Sequence, residues 1–495
     1  MEAPSHLAMA TLTHTAGSYI AGHWTDAPPD AVSVNPAHPE EEVLRFACAS
    51  TKDVDDAFTA AGDALPAWSA MPVPARGRIV RKVATMVEDR RDELARLITR
   101  DQGKTYPEAQ GELGRTIETL YFHSAQSWAN AGELYYSSKP DEEIRTVRRP
   151  IGVVGVITPF NFPLLISVWK IAPALVHGNT VVWKPATVDP AVSVELARMF
   201  EEAGLPAGVL NLLLGSGGEV GKAIVAHERL DAVTFTGSVP VGRAIAAETT
   251  GRGVRSQLEL GGHNAAVVFP DADLRLAARE VVLGAMLLAG QKCTSTRRVI
   301  VNREVYDAFV PLVLEEVDRL RIGDGFEEDV TIGPLVSAEA RDDVAAEVAR
   351  AEGDGAGVTA GGTIVGSADR DGFFLRPTVL TDVRPTMRIA QEEVFGPVTS
   401  LIPIGDDDEA IAVANGTRFG LSTSVFTTSE RRIRRCIAEI DVGVLHVNNQ
   451  TTGTEPHVPF AGRRSSGSGD APPEQGQTAR EFFTWLKTVY AEPGE

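Results

Sequence analysis

The sequence predicts an α/β protein built on a doubly wound parallel sheet, with a second α/β unit after it and a small projecting β segment. From Pro150 onward, short β-branched runs alternate with helix-like stretches, which is typical of βαβ units. A second alternation of this kind begins after Gln257. The run 144–149 alternates like an exposed strand and carries three arginines, which favours a projecting hairpin, with a solvated loop as the alternative.

Length and composition limit the possible functions. With 495 residues, 43% hydrophobic and 23% charged, the chain can bury large cores and is expected to form two or three domains. The 47 basic and 67 acidic residues give a net charge of -20, which argues against a nucleic-acid surface. Three cysteines far apart, Cys48, Cys293 and Cys436, provide neither a disulfide framework nor a paired-cysteine metal site. We therefore expect no metal centre and a reducing, cytoplasmic location.

The sequence suggests neither a secretory signal nor a membrane-spanning segment. Residues 1–16 lack the basic start and apolar core of a secretory signal and read as a flexible arm. The stretch 151–176 is largely apolar, but Asn161, Lys170 and three prolines interrupt it. Such residues suit a buried strand and turn and are costly in lipid, so we expect no membrane span.

The element pattern supports this fold in chain order. Apolar residues at helical spacing make the first 130 residues mainly helical. Strands are then predicted at 153–157, 180–183, 209–214 and 232–235, and helices at 165–176, 191–203, 219–227 and 239–249. In the second unit, strands are predicted at 265–269, 298–301, 399–403, 421–426 and 442–447, and helices at 306–320 and 408–414. The segment 352–372 is dense in glycine and charge, which indicates a surface loop or hairpin.

The candidate nucleophile is Cys293, in the segment Gly290-Gln291-Lys292-Cys293-Thr294 at the end of an apolar run. A thiol at the end of a helix-like segment, between a glycine and small polar residues, is open to a substrate and can ionise. The alternative is a buried and inert cysteine, which is common for single cysteines.

Two strand-to-helix turns are candidates for holding a phosphate. Residues 215–221 are glycine-rich but lack the dinucleotide fingerprint spacing. In residues 235–242, Gly237 and Ser238 stand where backbone N–H groups and the helix dipole can meet an anion. Either turn can also be an ordinary connection between a strand and a helix, with no role in ligand binding. Lys184 ends an apolar strand at the edge where α/β sheets bind ligands, with a solvated lysine as the alternative.

Three further positions each have a candidate chemical role and a structural alternative. Asn161 stands among aromatic residues and prolines, where its N–H groups either donate to an oxyanion or form a turn. Glu259 ends an apolar strand, where burial raises a carboxyl pKa towards that of a general base; a buried ion pair is the alternative. Glu393 and Phe395 share one face of a predicted extended strand. Together they can hold a ribose diol and flank a flat ring. The alternative is a surface acid beside a core phenylalanine.

Together, these segments resemble the aldehyde dehydrogenase superfamily in order and spacing, over essentially everything from Tyr19 to Tyr490. The matching motifs are 158–163, Lys184-Pro185-Ala186, Phe235-Thr236-Gly237-Ser238, Glu259-Leu260-Gly261-Gly262, Gly290-Gln291-x-Cys293, Glu393-x-Phe395-Gly396-Pro397 and Pro459-Phe460. The resemblance implies NAD(P)-dependent oxidation of an aldehyde to a carboxylate. It also implies a Rossmann-type cofactor domain (17–135 and 151–260), a catalytic domain (261–447), and a β oligomerisation arm with the C-terminal segment (136–150 and 448–495).

The catalytic roles follow from the same resemblance. Cys293 as thiolate attacks the carbonyl carbon, and the side chain of Asn161 and the backbone N–H of Cys293 hold the oxyanion. Glu259 activates the water that hydrolyses the thioester. Because this base is present, water is favoured over coenzyme A as the acyl acceptor.

The cofactor roles are implied in the same way. Glu393 and Phe395 position the nicotinamide ribose and ring, Lys184 binds the adenosine ribose, and Gly237 and Ser238 lie near the pyrophosphate. The other cofactor residues implied are Ile157, Thr158, Pro159, Thr187, Gly221, Phe235, Val241 and Leu260.

Two residues depart from the family pattern. Thr187 occupies the place of a glutamate that chelates both ribose hydroxyls in many NAD-preferring members, and it cannot repel a 2'-phosphate. We therefore expect NADP to be accepted at least as well as NAD. Ala461 stands where a second glycine is usual, and nothing in the sequence explains its effect.

The substrate channel implied by the resemblance is mostly apolar and suits a medium-sized aldehyde. Its residues are Phe162, Ile166, Trp169, Lys292, Thr294 and Phe460. Succinate-semialdehyde members carry arginines at the positions of Trp169 and Leu287, which disfavours that substrate. The segment 447–460 resembles 2-oxoglutarate-semialdehyde (2,5-dioxovalerate) dehydrogenases, with a broad aromatic or aliphatic aldehyde dehydrogenase as the alternative.

Other functional classes stay open from the sequence. A nicotinamide-independent cysteine esterase needs a histidine partner, for which His263 is the nearest candidate. A catalytically silent homologue is expected to lack Cys293 or Glu259, and both are present. The stretch 479–490 alternates aromatic and apolar residues with polar ones and is expected to pair with a neighbouring subunit in a homodimer or homotetramer.

Overall fold

The computed structural model describes residues 15–365, 372–469 and 471–492. Of the predicted N-terminal arm, residues 1–14 fall outside this part of the chain, as do residues 366–371 of the predicted surface loop. Within the described ranges, none of the helices has the length and apolar character needed to cross a membrane.

The elements of the described chain alternate between strands and helices over most of its length. The strands are β1 (Thr15–Ala16), β2 (Tyr19–Ile20), β3 (His23–Trp24), β4 (Ala31–Asn35), β5 (His38–Phe46), β6 (Leu134–Tyr135), β7 (Glu143–Pro150), β8 (Val153–Ile157), β9 (Thr180–Lys184), β10 (Leu210–Leu212), β11 (Ala232–Thr236), β12 (Arg255–Glu259), β13 (Asn264–Val268), β14 (Thr296–Asn302), β15 (Gly357–Ala360), β16 (Thr378–Thr381), β17 (Val398–Ile404), β18 (Phe419–Gly420), β19 (Ser422–Phe426), β20 (Val444–Val447), β21 (Arg463–Arg464) and β22 (Thr484–Ala491). The helices are α1 (Thr51–Ala70), α2 (Val73–Asp89), α3 (Arg91–Gln102), α4 (Tyr106–Ala125), α5 (Leu165–Val176), α6 (Ala191–Glu202), α7 (Lys222–Ala226), α8 (Val239–Thr250), α9 (Leu274–Met286), α10 (Arg303–Asp318), α11 (Ala338–Gly353), α12 (Asp407–Asn415), α13 (Glu430–Glu439) and α14 (Ala479–Phe483).

The first large sheet has the strand order β12-β11-β8-β9-β10-β2-β3, and its strands from β12 to β10 run parallel. The chain leaves β8 for β9 on one side and later reaches β11 on the other, which confirms the predicted doubly wound sheet. In the register, Ile157 pairs with Lys184 and with Phe235, and Thr236 pairs with Glu259. The ends that carry these residues therefore share the carboxyl edge, where such sheets bind ligands.

The second large sheet has the order β15-β16-β17-β14-β13-β19-β20 and is parallel except for β15. Its central strands are buried and rich in β-branched residues, which explains why the sequence pattern found them. The predicted loop or hairpin at 352–372 contains β15, which pairs antiparallel with β16.

Two regions differ from the sequence prediction. Helices α1 to α4 account for most of the first 130 residues, but strands β1 to β5 precede them and were not expected. The outer part of β5 carries exposed polar residues rather than an apolar run, so it lacked the usual strand pattern. In the C-terminal stretch, Phe482 and Phe483 are adjacent and both buried in helix α14, which a strand with alternating faces cannot achieve.

The projecting β segment is a sheet of order β22-β7-β6. Strand β7 covers the predicted run 144–149, and it pairs antiparallel with β22 along its whole length, from Pro150 opposite Thr484 to Glu143 opposite Ala491. The C-terminal strand thus pairs within its own chain. Its exposed side chains include Trp485, Leu486 and Tyr490.

Candidate active site

The segment that carries Cys293 leaves helix α9 through a strained turn. Leu288, Ala289 and Gly290 have successive φ angles of 60°, 49° and 67°, a left-handed backbone that costs a non-glycine residue about 1–3 kcal/mol. Glycine is required at the third position, because a Cβ there would lie 2.0 Å from the carbonyl oxygen of Gly396. The turn ends the helix and brings the thiol to the junction of two cavities.

These cavities meet at Cys293 and Thr236, which line both of them. The sheet-edge cavity has a volume of about 360 Å³ and the inner cavity about 310 Å³. The sheet-edge cavity is also lined by Pro159, Phe160, Asn161, Gly237, Ser238, Val239, Pro240, Leu260, Gly261, Glu392, Glu393, Phe395, Arg418 and Phe419. The inner cavity is also lined by Glu108, Gly111, Glu112, Arg115, Phe162, Leu165, Ile166, Trp169, Glu259, Leu287, Leu288, Lys292, Thr294, Gln450, Thr452, Gly453, Thr454 and Phe460.

The surroundings of Cys293 favour the protonated form of its thiol. Burial is the main cause, and the nearby carboxyl groups of Glu393 and Glu259 add to it, so that the pKa of Cys293 is raised to about 12. Backbone N–H groups at Cys293 and Thr294 act in the opposite direction. Ionisation of the thiol therefore requires a change in its surroundings, such as the approach of positive charge.

Asn161 lies in the sheet-edge cavity beside the thiol. Its backbone carbonyl accepts a hydrogen bond of 2.7 Å from Lys104 Nζ. Its side chain is 3% exposed, and the buried carboxamide oxygen has no hydrogen-bond partner within the described chain. A buried polar group left without a partner costs about 1–3 kcal/mol. The loop therefore holds a carboxamide whose bonding capacity is open to a ligand.

Glu259 ends β12 and lines the inner cavity on the other side of the thiol. Burial raises the pKa of Glu259 well above its ordinary value, the charge of Glu474 raises it further, and Lys170 opposes both. The carboxylate accepts one hydrogen bond, of 3.3 Å, from the backbone N–H of Gly462. Lys170 Nζ itself donates to Glu474 and to the hydroxyl of Thr234. The carboxyl group thus has the raised pKa that a general base near neutral pH requires.

Glu393 and Phe395, for which the sequence predicts contact with the nicotinamide ribose and ring, line the sheet-edge cavity. Glu393 Oε1 accepts a hydrogen bond of 3.0 Å from the backbone N–H of Gly262. Burial raises the pKa of Glu393 to about 7, against the opposing charge of Arg297. The ring of Phe395 makes an edge contact with that of Phe160 at 5.9 Å between centroids.

The turn after β11 offers backbone donors to the same cavity. Helix α8 begins at Val239, and its cap residue Ser238 forms no side-chain cap hydrogen bond. The first N–H groups of a helix lack partners inside the helix, and the helix dipole is positive there, so this end suits an anion. Gly237 N donates to the Glu259 carbonyl at 3.0 Å, which ties the turn to the end of β12.

A second group of predicted residues lies further along the sheet edge. Lys184 ends β9, and its ammonium group donates to the Pro185 carbonyl at 2.6 Å. Burial lowers the pKa of Lys184 to about 8. A Cβ at Gly221 would make an ordinary contact with Lys184 Cδ, at 3.7 Å, so the two residues are neighbours. The hydroxyl of Thr187 donates to the Gly215 carbonyl at 2.8 Å.

The predicted cofactor residues therefore fall into two sets. One set lines the sheet-edge cavity with Cys293 and consists of Pro159, Gly237, Ser238, Leu260, Glu393 and Phe395. The other set lines neither cavity and consists of Ile157, Thr158, Lys184, Thr187, Gly221, Phe235 and Val241. Ile157 and Phe235 are buried in the sheet, and Val241 is exposed on α8. The hydroxyl of Thr158 accepts from Trp183 Nε1 at 3.1 Å.

All six predicted substrate residues line the inner cavity, and so do several polar residues that the sequence did not single out. These polar residues include Glu108, Glu112, Arg115, Gln450, Thr452 and Thr454. Arg115 forms a bidentate ion pair with Glu455, with both nitrogen–oxygen distances at 2.7 Å. Glu112 lies on α4, far in sequence from the recognised motifs, and no short pattern around it signals a site.

The histidine considered as a partner for Cys293 lies elsewhere. His263 is buried and lines neither cavity. Its ring lies 6.0 Å from that of Phe419, and burial lowers its pKa well below the ordinary value. The arrangement of a cysteine hydrolase, in which a histidine accepts the proton of the thiol, is therefore not formed with this residue.

Comparison with known proteins gives a consistent match. The chain is 40% identical over 490 residues to the alpha-ketoglutaric semialdehyde dehydrogenase of Bacillus subtilis, covering 98% of this chain and 100% of that protein. It is 41% identical over 482 residues to the alpha-ketoglutarate semialdehyde dehydrogenase of Haloferax volcanii, covering 97% and 99%. Among solved structures, betaine aldehyde dehydrogenase of Staphylococcus aureus in complex with NAD+ superposes with a TM-score of 0.93 at 32% identity, covering 98% and 96%.

The family comparison covers nearly the whole chain as well. The model of the Aldehyde dehydrogenase family matches residues 24–489. With the fold and the extent of the relatives, this match shows that the chain belongs to the aldehyde dehydrogenase family.

Proposed function

We propose that the protein oxidises an aldehyde to a carboxylic acid, with NAD or NADP as cofactor, through a thiohemiacetal and a thioester on Cys293. The proposal is carried by one observation: Cys293 lies where the sheet-edge and inner cavities meet, with Asn161 in the first and Glu259 in the second. When bound, the nicotinamide cofactor accepts a hydride from the aldehyde carbon. The other steps depend on residues of the chain.

Cys293 forms the bond to the substrate. Its thiol gives up its proton to solvent water, its sulfur then bonds to the carbonyl carbon, and the electron pair of the C=O π bond moves to the oxygen, which becomes an oxyanion. The side-chain amide N–H groups of Asn161, which donate no hydrogen bond within the described chain, and the backbone N–H of Cys293 donate hydrogen bonds to that oxygen. Lys104 fixes the Asn161 backbone by donating to its carbonyl, so the amide is oriented before the reaction begins.

Glu259 completes the reaction by hydrolysis. Its raised pKa makes it able to take a proton from a water molecule that attacks the thioester carbon. Lys170 and Glu474 adjust that pKa in opposite directions. Release of the acid then restores the thiol of Cys293.

The residues of the sheet edge fit a dinucleotide. The open N-terminal end of α8, capped by Ser238 and preceded by Gly237, suits the pyrophosphate. Glu393 and Phe395 suit the nicotinamide ribose and ring, and Lys184 suits the adenosine ribose. We propose that residues 17–135 and 151–260 form the cofactor-binding domain and that residues 261–447 form the catalytic domain, which supplies Cys293.

The preference between the two cofactors depends on Thr187. A threonine hydroxyl bound to the Gly215 carbonyl carries no charge, so it does not repel a 2'-phosphate. We propose that NADP is accepted at least as well as NAD. A ratio of kcat/KM that strongly favours NAD would contradict this proposal.

We further propose that the β6, β7 and β22 sheet joins two copies of the chain in a homodimer or homotetramer. The sheet ends in the edge strands β22 and β6, and exposed Leu134, Tyr135, Trp485 and Leu486 lie on these two strands. Unpaired edges and exposed apolar side chains favour association. Sedimentation would decide the state.

The substrate that we propose is 2-oxoglutarate semialdehyde. The named activities of the Bacillus subtilis and Haloferax volcanii relatives support it, together with the small inner cavity. A broad aromatic or aliphatic aldehyde dehydrogenase is the second candidate, because most of that cavity is apolar.

The deciding experiment follows nicotinamide reduction by absorbance, with an aldehyde panel and both cofactors. We expect wild type to reduce the cofactor with 2-oxoglutarate semialdehyde and the Cys293→Ala variant to be inactive. A panel in which this aldehyde is among the poorest substrates would remove the substrate proposal. Cleavage of an ester without any nicotinamide reduction would instead favour a cysteine hydrolase.

A further inference from the structure

Lys292 presents an unmatched positive charge inside the inner cavity. The residue directly precedes Cys293 and lines the same cavity, and it is 6% exposed. Within the described chain, no carboxylate lies within ion-pair distance of its ammonium group, and its side chain forms no hydrogen bond there. A buried ammonium without a partner is costly, so a residue of this kind is expected to meet an anion from outside.

The other charged residues that line the cavity already have hydrogen-bond or ion-pair partners. Glu108 accepts hydrogen bonds from Thr105 and, at 2.7 Å, from the backbone N–H of Leu288. Glu112 is paired with Lys104 at 2.5 Å. Arg115 is held by Glu118 and Glu455 and is 41% exposed at its side chain. Among the described residues that line the cavity, Lys292 is therefore the cation that has no partner and is available to a ligand.

We propose that Lys292 binds the carboxylate of the substrate, so that the enzyme selects short aldehydes that carry a carboxylate at their far end. This inference rests on the proposed function. Adjacent Cα atoms are about 3.8 Å apart, so the sulfur of Cys293 and the flexible side chain of Lys292 reach the two ends of one small molecule. Trp169 and Leu287 supply no charge in the same cavity, which leaves the ammonium as the anion-binding group.

The test compares a charged and an uncharged aldehyde of the same chain length. Lys292→Met removes the charge and keeps most of the volume, and Lys292→Arg keeps the charge. Arg115→Gln is the matched control, because it removes a cation of the same cavity that already has partners. Each variant is assayed with 2-oxoglutarate semialdehyde and with pentanal, and kcat and KM are determined separately.

We expect Lys292→Met to lower the ratio of kcat/KM for 2-oxoglutarate semialdehyde over pentanal by about 10- to 100-fold, mainly through KM, as for the loss of a charged hydrogen bond. Lys292→Arg should restore part of this ratio, and Arg115→Gln should change it by less than about threefold. Activity with pentanal reports that each variant is folded. An unchanged ratio in Lys292→Met would overturn the inference.

The outcomes also separate this inference from the proposed substrate. If wild type oxidises 2-oxoglutarate semialdehyde well and the Lys292→Met ratio is unchanged, the substrate proposal stands and the role of Lys292 is refuted. If that aldehyde is poor but malonate or succinate semialdehyde shows the Lys292-dependent KM, the substrate proposal fails and the inference stands. A larger loss in Arg115→Gln than in Lys292→Met would assign carboxylate binding to Arg115 and overturn the inference.

Discussion

A buried ion pair supports the loop that carries Asn161. Lys104 Nζ lies 2.5 Å from Glu112 Oε2 and 2.7 Å from the carbonyl oxygen of Asn161. The other carboxylate oxygen of Glu112 accepts the backbone N–H groups of Leu164 and Leu165 at 3.0 and 3.1 Å. Both charged side chains are fully buried. We therefore expect this pair to act on stability and catalysis together.

The Lys104→Met variant tests this expectation. Removing one partner leaves the Glu112 charge buried without a counterion, which costs about 3–5 kcal/mol. The Asn161 carbonyl also loses its donor, so the carboxamide is less well oriented. Complete loss of an oxyanion donor lowers kcat by about 100- to 1,000-fold. A misplaced donor should cost less, so we expect kcat to fall by about tenfold.

Urea unfolding followed by fluorescence, and kcat from nicotinamide absorbance, measure the two effects. The control is Lys52→Met, which removes an exposed lysine that lies at the same 2.5 Å from Asp56, and its effect on stability should be much smaller than that of Lys104→Met because solvent screens the exposed pair. Adding Glu112→Gln to Lys104→Met removes the stranded charge and keeps an acceptor for Leu164 and Leu165. Stability should then recover while kcat stays low. Wild-type kcat in Lys104→Met, or further destabilisation in the double variant, would refute the reasoning.

Three further predictions concern individual residues. Glu259→Gln should keep a burst of reduced nicotinamide but slow the steady state by about 100- to 10,000-fold, since only hydrolysis needs the base; loss of the burst in stopped-flow measurements would contradict this. Thr187→Glu should lower the NADP over NAD ratio of kcat/KM by about tenfold or more through like-charge repulsion, while Thr187→Gln should not. Burial lowers the pKa of Lys292 to about 8, opposed by Glu108 and Cys293 and reinforced by Arg297 and Lys104. Its positive charge is therefore lost above pH 8, and the KM for an anionic aldehyde, but not for pentanal, should rise there.

The sequence was sufficient for the central architecture because buried parallel strands have a strong pattern. Strands β8, β9 and β11 are short β-branched runs with turn residues after them, and each was predicted within one residue of its observed end. Strand β5 was missed because its first half is polar and exposed. Its place depends on pairing with β4, a tertiary contact that no local pattern records.

Residues of the candidate site could be predicted where they lie within sequence motifs. They could not be predicted where their role depends on packing between segments that are distant in sequence. Cys293, Asn161 and Glu259 were singled out as candidates because each stands in a distinctive segment. The Lys104–Glu112 pair was missed because a lysine and a glutamate eight positions apart on a helical stretch normally read as solvated surface residues. Only the packing of α4 against the loop after β8 shows that both are buried.

In the reaction that we propose, the acids at the junction of the two cavities also constrain the order of the steps. After burial, the charges of Glu393 and Glu259 are what raise the pKa of Cys293, so a thiolate and an ionised Glu259 destabilise each other. Acylation bonds the sulfur to carbon and removes the negative charge from it. Glu259 then ionises more easily than it does beside a thiolate, at the stage where hydrolysis needs a base. Placing the proposed nucleophile and base at one junction thus favours their use in sequence rather than at the same time.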